Sequence, residues 1–389
     1  MKNFKVLAAV LGGAAVAWGG LSFITLTIGV LAEGYHYPLS QAAFLATLEL
    51  GAMAAASISG GYTLRLIPVR RLAVVGGLVA GIANIATAST TAIVAVGVLR
   101  TLAGIGLGWM SAGLNTSVSR SADPERLFVQ ANFGNIGFAA VFFAVMPMIY
   151  GGGRFSAYFI AYGLMCLASA AVMGWLPRSS VSEPRQATMS LDSTRFTVLL
   201  TVSLVWLCYA GVWSLVERLG RDIGMSDESI GRTLGVGTLA GLMAVVIAAW
   251  LASRHLRPMW PLIATAFATG VTYLWMVYCH TEVVFVWIMI IQGITLCPIL
   301  AYAFAVAAEF DRSGALVRLV TGGIAIATAL GPLVGARLEA SYGYQGVVEA
   351  AFGGSTVACI ALAMLALFRR SETGKKSLIP GGRISPSNG

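Results

Sequence analysis

Charged residues are scarce in this sequence: Asp, Glu, Lys and Arg make up 11% of its 389 residues. A water-soluble domain carries about 25% charged residues. A chain that is 58% hydrophobic has too little polar surface to cover a soluble fold. The composition therefore excludes a large soluble domain and predicts a protein that crosses a membrane many times.

Cysteine and histidine are also rare, and their placement excludes several kinds of chemistry. No CxxC motif occurs, and no two of the three histidines are spaced as metal ligands on one helix face. We therefore predict neither a metal site nor a bound cofactor. A P-loop is absent, which argues against ATP-driven transport, and no nucleophile and base converge as in an enzyme. The cysteines fall in or at the edge of apolar runs, as small core residues do: Cys166, Cys208, Cys279, Cys297 and Cys359.

Long apolar runs dominate what is present. About 20 residues of helix are needed to cross a hydrocarbon core of ~30 Å, and runs of that length recur along the whole chain. They predict an all-α membrane protein surrounded by a lipid bilayer. The twelve predicted transmembrane helices lie at 6–32, 41–61, 72–89, 92–116, 128–150, 156–177, 196–216, 230–251, 259–279, 283–307, 318–338 and 347–368.

The positive charges indicate the orientation of these helices. The net charge is +9, but the cations are spread between the helices rather than gathered on one face, so nucleic acid is not an expected partner. If the N-terminus is cytoplasmic, 19 of the 25 Lys and Arg residues fall on the cytoplasmic side, as the positive-inside rule requires. We therefore predict a multi-pass protein of the cell membrane with both termini in the cytoplasm.

A polar break rich in Ser, Thr and Pro divides the chain in the middle, as a linker does. It predicts an N-terminal six-helix bundle at 1–177, a cytoplasmic central loop at 178–194 and a C-terminal six-helix bundle at 195–370. The polar, basic residues 371–389 are predicted to form a disordered cytoplasmic tail. Two weakly similar halves of six helices are typical of secondary transporters, whose substrate site lies between the halves.

Two local motifs add to this organisation. They are Gly61, Arg70 and Arg71 in the loop after the second helix, and Arg100, Gly104, Gly106 and Gly108 in the fourth helix. With the helix count and the central loop, these residues resemble the major facilitator superfamily over nearly the whole chain. The resemblance implies two six-helix bundles in a bacterial-type plasma (inner) membrane transporter. It also implies that Arg100 takes part in proton coupling.

The sequence departs from that family's pattern at several positions. Arg65 replaces the usual Asp of the loop, and Pro68 replaces its usual central Gly. In the second half, Met289 stands where a repeat of the motif would place an Arg. The predicted fifth helix lacks the Gly-Pro pair of the family's drug/proton exchangers, which disfavours drug export by proton exchange.

Arg100 and Glu49 are the two charges that lie deep inside predicted membrane helices rather than near a helix end. A charged side chain at the bilayer centre costs roughly 3 kcal/mol on insertion scales. At ~1.5 Å per residue, Glu49 lies ~13 Å and Arg100 ~12 Å deep from the same side, so the two are expected to pair. The pair is either a static structural contact or a site of proton coupling, in which Arg100 alternatively anchors an anionic substrate.

Other residues are candidates for packing and hinge motion. Gly104, Gly106 and Gly108 form a small-residue face that lets a neighbouring helix approach closely. Pro298 and Pro332 interrupt helical hydrogen bonding and provide either hinges or fixed kinks.

Several polar and aromatic residues are candidates for substrate contact. Tyr209 and Trp213 are four residues apart and share a helix face, which suits a cavity wall or an interfacial belt. Asn135 and Gln292 place amides in apolar helices, where amides either bind substrate or hydrogen-bond a neighbouring helix. Glu217, near the outer end of its helix, is expected to form a gate or a solvated helix end.

These observations predict a secondary active transporter that moves a small organic molecule by alternating access. Proton coupling through Glu49 and Arg100 is expected, with an organic anion slightly favoured because Arg100 is the one buried cation. Multidrug or metabolite efflux by proton exchange is the alternative, and a non-transporting membrane sensor on a transporter fold is an alternative of another class. The protein is expected to be a monomer whose partners are its substrate, protons and lipid.

Overall fold

The computed structural model describes residues 2–121, 123–177, 192–252, 258–311 and 315–377, and that part of the chain contains helices but no β-strands. The first half of the chain forms α1 (Lys2–Ala17), α2 (Gly19–Ser22), α3 (Ile24–Gly29), the π-helical turn Val30–Gly34, α4 (Leu39–Leu66), α5 (Val69–Thr87), α6 (Ile93–Ser119), α7 (Pro124–Tyr150) and α8 (Ser156–Met173). The second half forms α9 (Ser193–Trp213), α10 (Val216–Asp222), α11 (Asp227–Ala252), α12 (Met259–Val277), α13 (Glu282–Phe310) and α14 (Ala315–Ser377).

These elements make twelve membrane crossings. Within the described residues, eleven helical segments are long and apolar enough to span a bilayer. The last of them, Ala315–Phe368, contains two crossings, because the backbone of α14 turns at Gly343 with φ 68° and ψ −179°. A side chain would clash in this conformation, so the turn requires glycine. The predicted all-α fold with twelve transmembrane helices is confirmed.

The first crossing of each half is broken, where the sequence predicted one continuous helix. Trp18 and Phe23 leave helical geometry, with ψ of 4° and 6°, and divide the predicted helix 6–32 into α1, α2 and α3. Leu215, with φ −111° and ψ −1°, separates α9 from α10. Non-helical backbone at membrane depth is tolerated only where protein or a cavity surrounds it. The breaks are therefore expected beside the centre of the protein rather than beside lipid.

The helix connections place the loops 35–38, 88–92, 151–155, 223–226 and 278–281, together with Gly343, at one end of the helix bundle, here called the distal end. Tyr37 Oη donates to the Thr91 carbonyl across 2.7 Å, which ties two of these loops together. At this end Ser229 also donates to the carboxylate of Glu282. The opposite end, here called the proximal end, carries the beginning of α1, the end of α8 and the beginning of α9.

The two halves pack on each other through α7 with α11, α4 with α14, and α3 with α10. Glycines in α11 permit the first of these contacts. A Cβ atom on Gly235 would lie 2.8 Å from the Ala140 carbonyl oxygen, and one on Gly231 would overlap the Phe143 carbonyl. The backbones of α7 and α11 therefore approach as closely as two helices can.

The division of the chain at 1–177, 178–194, 195–370 and 371–389 stays a prediction, and residues 178–191 lie outside the described part. Helix α9 begins at Ser193, inside the predicted loop. Helix α14 continues to Ser377 and so enters the segment predicted to be disordered. No proline interrupts the chain between Pro332 and Pro380, so nothing in the backbone forces this helix to end at the membrane surface.

The predicted packing glycines of α6 lie against two different helices. A Cβ atom on Gly104 would overlap the Glu49 carbonyl of α4, and one on Gly108 would lie 2.5 Å from the Met53 carbonyl oxygen of the same helix. A Cβ atom on Gly106 would lie 2.5 Å from the Gly76 carbonyl oxygen of α5. The alternating glycines thus let α4 and α5 contact the backbone of α6 from two sides.

We expect Gly104→Ala to destabilise the protein by about 1–3 kcal/mol, the usual cost of inserting a methyl group into a filled core. Gly51→Ala in α4 is the matched control, because nothing lies within 4 Å of a Cβ atom there. Since Ala is the better helix former by about 1 kcal/mol, this control should melt at or above the wild-type temperature in detergent. Equal melting of the two variants would contradict the packing assigned to Gly104.

Candidate functional site

A cavity of about 150 Å³, here called the central cavity, lies between the two halves of the chain. Helix α7 contributes Asn135 and Phe143, α9 contributes Tyr209 and Trp213, and α13 contributes Gln292. A second cavity of about 190 Å³, here called the side cavity, shares Tyr209 and Trp213 with it. Four of the predicted substrate-binding residues, Asn135, Tyr209, Trp213 and Gln292, therefore line one space.

Stacked aromatic rings form the wall between these two cavities. The rings of Tyr209 and Trp213 are stacked with centroids 5.9 Å apart, and Trp206 lies 5.3 Å from Tyr209. Their spacing of three and four residues on α9 places them on one helix face. Phe143 of the first half meets Trp213 edge-on at 5.8 Å. Tyr209 and Trp213 thus line both cavities, and the wall is held by both halves of the chain.

The broken crossings meet at this wall. Trp213, the last residue of α9, donates its indole N–H to the carbonyl oxygen of Ser22 across 3.4 Å. Ser22 is the last residue of α2 and lines both cavities. The break after α2 leaves the Ser22 carbonyl without a helical partner. The Trp213 indole N–H, at the break in the other half, supplies the missing hydrogen bond without water.

The polar side chains of the central cavity differ in whether they have partners. Asn135 Nδ2 donates to the Ala14 carbonyl at 3.1 Å, and Thr238 Oγ1 donates to the Leu234 carbonyl at 2.7 Å. Gln292 is 2% exposed, yet neither its amide nitrogen nor its amide oxygen has a hydrogen-bond partner. No charged side chain of the described residues lines the central or the side cavity.

Arg100 lies elsewhere, inside the first half, and its side chain is 0% exposed. Its Nη1 donates to Glu49 Oε2 at 3.3 Å, while Nη2 donates to Asn84 Oδ1 at 3.1 Å and to Thr87 Oγ1 at 2.8 Å. The guanidinium also lies 4.7 Å from the ring centroid of Phe159. Glu49 is 1% exposed, so this is an ion pair sealed among α4, α5, α6 and α8.

The structure does not bring Arg100 to the cavities, although the sequence placed it among the substrate-binding residues. Neither Arg100 nor Glu49 is part of the lining of the central or the side cavity. The physical reason is that α4, α5 and α8 supply the guanidinium with a carboxylate, two hydrogen-bond acceptors and a ring face. With those partners present, the Arg100 guanidinium can be buried without contact with water. The expectation of an anionic substrate depended on Arg100, which does not line either cavity.

A second buried carboxylate, that of Glu217, lies where the halves meet near the distal end. Glu217 is 2% exposed, and its Oε1 accepts a hydrogen bond from Arg221 at 2.9 Å and one from the hydroxyl of Tyr150 at 3.5 Å. Its backbone N–H donates to Thr25 Oγ1 at 3.4 Å. Its Oε2 has no partner and faces Gly29 so closely that no side chain would fit there. The sequence places Glu217 near a helix end and gives no sign of its burial.

The two predicted hinge prolines do not line the central cavity. Pro298 and Pro332 lie inside α13 and α14, and both helices continue through them. Pro332 lines the side cavity, and the hinge role of both prolines stays a prediction. Arg218 pairs with Glu339 at 3.6 Å at the distal end. Within the described residues, no group of three or more His, Cys, Asp or Glu side chains is arranged to hold a metal ion.

Twelve crossings in two packed halves, with a cavity between them, define a multi-pass membrane protein of the secondary-transporter class. The family model described as Major Facilitator Superfamily matches residues 10–317 and again 198–386. The chain belongs to the major facilitator superfamily, a family of transporters and not of enzymes.

Three solved structures that resemble this chain are of transporters as well. The nucleoside transporter NupG covers 93% of this chain and 99% of its own at 13% identity and a TM-score of 0.72, and a mutant of it reaches 0.74 at 12% identity with 93% and 100% covered. A bacterial homologue of the human lysosomal transporter Spinster, in an inward-facing and unoccupied conformation, covers 99% of both chains at 12% identity and a TM-score of 0.67. No curated protein sequence matches this chain. At such identities the likeness shows the fold alone.

We expect Arg100→Leu to destabilise the protein by about 3–5 kcal/mol, because it leaves the buried carboxylate of Glu49 without its cation. The double variant Arg100→Leu with Glu49→Leu should recover a large part of that loss, since it removes both charges together. Arg232→Leu, which breaks the exposed pair with Glu228, should cost about 1 kcal/mol or less. Thermal melting in detergent measures all three, and a double variant no more stable than Arg100→Leu would argue against a structural pair.

Proposed function

We propose that this protein is a proton-coupled secondary transporter that moves a small, uncharged organic molecule through the central cavity by alternating access. The observation that carries the proposal is the lining of that cavity by both halves, with Asn135 and Phe143 on one side and Tyr209, Trp213 and Gln292 on the other. A ligand held by both halves is released when the halves rock apart. We assign the termini and the proximal end to the cytoplasmic side of a bacterial inner membrane, because most Lys and Arg residues fall on that side.

Contacts near the distal end support an opening of the central cavity toward the proximal end. Three contacts between the halves lie at or beyond the wall toward that end: Trp213 with Ser22, Glu217 with Thr25, and Gly231 with Phe143. They hold the two halves together on the distal side of the central cavity. The likeness to a transporter solved in an inward-facing conformation agrees with an opening at the proximal end.

The absence of charged side chains from the described lining supports an uncharged substrate. Bringing an ion into an apolar cavity is costly unless a counter-charge meets it there, and the Arg100 guanidinium is occupied inside the first half. The stacked rings of Tyr209 and Trp213 offer a surface for a planar molecule instead. Because the similar NupG structures are of a nucleoside transporter, nucleosides belong among the compounds to be screened.

Two buried carboxylates are candidates for carrying the coupled proton, and their positions favour Glu217 over Glu49. Glu49 contacts Arg100 within the first half, whereas Glu217 belongs to the second half and touches Thr25 and Tyr150 of the first. A proton on Glu217 changes a contact that must break when the distal end opens. The charged and titratable groups facing it are Arg221 on its own helix, Arg218 and Glu33 around a small adjoining cavity, Tyr150 of α7 and Asp227 of α11.

We expect Thr238→Trp to abolish both ligand binding and transport, because the indole would fill the central cavity that Thr238 lines. Small organic molecules, nucleosides included, are first screened by thermal shift on purified protein, and hits are then tested for accumulation in proteoliposomes. Thr321→Trp is the matched control: Thr321 is exposed and, like Thr238, donates to the carbonyl four residues earlier. Hits that bind Thr238→Trp as they bind the wild type would place the substrate site elsewhere.

With a substrate in hand, we expect Glu217→Gln to lose accumulation driven by an imposed pH gradient while keeping exchange of substrate across the membrane. The amide cannot gain or lose the proton, so the transport cycle no longer responds to the gradient. Glu228→Gln, at an exposed carboxylate of the same end, should accumulate substrate as the wild type does. Loss of gradient-driven accumulation in Glu49→Gln but not in Glu217→Gln would assign coupling to Glu49, and indifference of the wild type to the gradient would reject proton coupling.

A further inference from the structure

Among the residues that line the central cavity, Gln292 is the one whose buried side-chain nitrogen and oxygen have no hydrogen-bond partner. It lies in the middle of α13, where Gly237 of α11 packs so closely on the backbone that a Cβ atom on Gly237 would lie 2.7 Å from the Met289 carbonyl oxygen. Helix α13 is therefore fixed against α11, with the Gln292 side chain at the central cavity. Leaving a buried donor or acceptor without a hydrogen-bond partner is unfavourable, because the group has given up its hydrogen bonds to water.

The neighbouring polar groups do not relieve this cost. Asn135 Nδ2, Thr238 Oγ1 and the indole N–H of Trp213 all donate to backbone carbonyls. Gln292 Nε2 and Oε1 are both unpartnered although the residue is 98% buried. The planar amide of Gln292 thus offers a ligand one free donor and one free acceptor beside the stacked rings of Tyr209 and Trp213.

We propose that Gln292 selects the substrate by a pair of hydrogen bonds to adjacent N–H and C=O groups on a planar, uncharged molecule whose ring packs on Tyr209 and Trp213. The ligand class is a cyclic amide or an aromatic carboxamide. This inference rests on the proposed function, in that it takes the central cavity as the substrate site. A glutamine amide makes such paired bonds to the edge of a nucleobase when it meets a matching donor and acceptor.

Other chemistries fit the cavity less well. A carboxylate would offer Gln292 two acceptors and no donor, and would enter a lining without a cation among the described residues. A hydrocarbon ring would leave both amide groups unpaired. The discrimination is strong because a site built for a hydrogen bond rejects an analogue that lacks it more sharply than an apolar pocket rejects a change of size.

The test uses three probes of similar size on the full-length protein in detergent: 2-quinolone, its N-methyl derivative and 2-naphthoate. Binding is followed by quenching of tryptophan fluorescence and confirmed by calorimetry. We expect 2-quinolone to bind at least tenfold more tightly than N-methyl-2-quinolone, which lacks the N–H, and 2-naphthoate not to bind. Failure of 2-quinolone to bind at its solubility limit, or equal affinity of the first two probes, overturns the proposal.

Variants assign the difference to Gln292. In Gln292→Leu the affinity for 2-quinolone should fall to that of the N-methyl compound, whose own affinity should change less than threefold. Gln345→Leu is the control, since Gln345 is not part of the cavity lining and bonds Glu349, and it should bind all three probes as the wild type does. Without ligand, Gln292→Leu should melt at or above the wild-type temperature, because it removes two unpaired groups. Clearly lower melting would mean that the amide has partners in the folded protein.

The Thr238→Trp variant separates failure of this inference from failure of the proposed function. If 2-quinolone binds and Thr238→Trp abolishes its binding, but Gln292→Leu does not alter it, the central cavity stands and the role of Gln292 is rejected. If 2-quinolone binds Thr238→Trp normally, the site is not in this cavity, and the proposed function fails together with the inference.

Discussion

The structure depends first on the rule that a polar group in hydrocarbon must find its partners within the protein. Arg100 shows the rule at its most demanding, because its guanidinium brings five N–H donors and a charge into the middle of the first half. Glu49, Asn84 and Thr87 accept from its two Nη groups and Phe159 covers its face, while its Nε–H has no hydrogen-bond partner. Those partners come from α4, α5 and α8, so one side chain fixes three helices around α6.

The same rule explains where the backbone is irregular. The breaks at Trp18 to Phe23 and at Leu215 free carbonyl and amide groups that lipid could not satisfy. Both breaks lie beside the central and side cavities, where a side chain of the opposite half reaches the carbonyl of Ser22. The two halves are thus joined by backbone groups, the Ser22 carbonyl and the Glu217 N–H, that would be bonded within the helix if the helices were regular.

The sequence was sufficient for the fold because length and apolarity are local properties: each of the twelve crossings could be recognised from its own residues. It also indicated that Tyr209, Trp213, Asn135 and Gln292 were unusual, since large rings and amides stand out in apolar helices. It did not tell which way α6 faces. Arg100 was expected in a cleft, and it lies inside one half because the acceptors Asn84 and Thr87 look ordinary in a helix and gave no signal.

The helix breaks and the burial of Glu217 were missed for a related reason. A carboxylate near a helix end looks solvated until the packing of the other half against it is known, and that packing is a property of the whole fold. Likewise, nothing in the run around Trp18 to Phe23 announces a break except its glycines, which also occur in unbroken helices such as α6. Features that arise where the halves meet cannot be found from either half alone.

Gly29 sets how tightly the distal end can shut. Its missing side chain is what allows the Glu217 carboxylate to lie against the backbone of α3. Any larger residue there would act as a wedge and hold the halves ajar on that side. In the proposed transport cycle, this one absent methyl group therefore sets part of the balance between the two conformations of the protein.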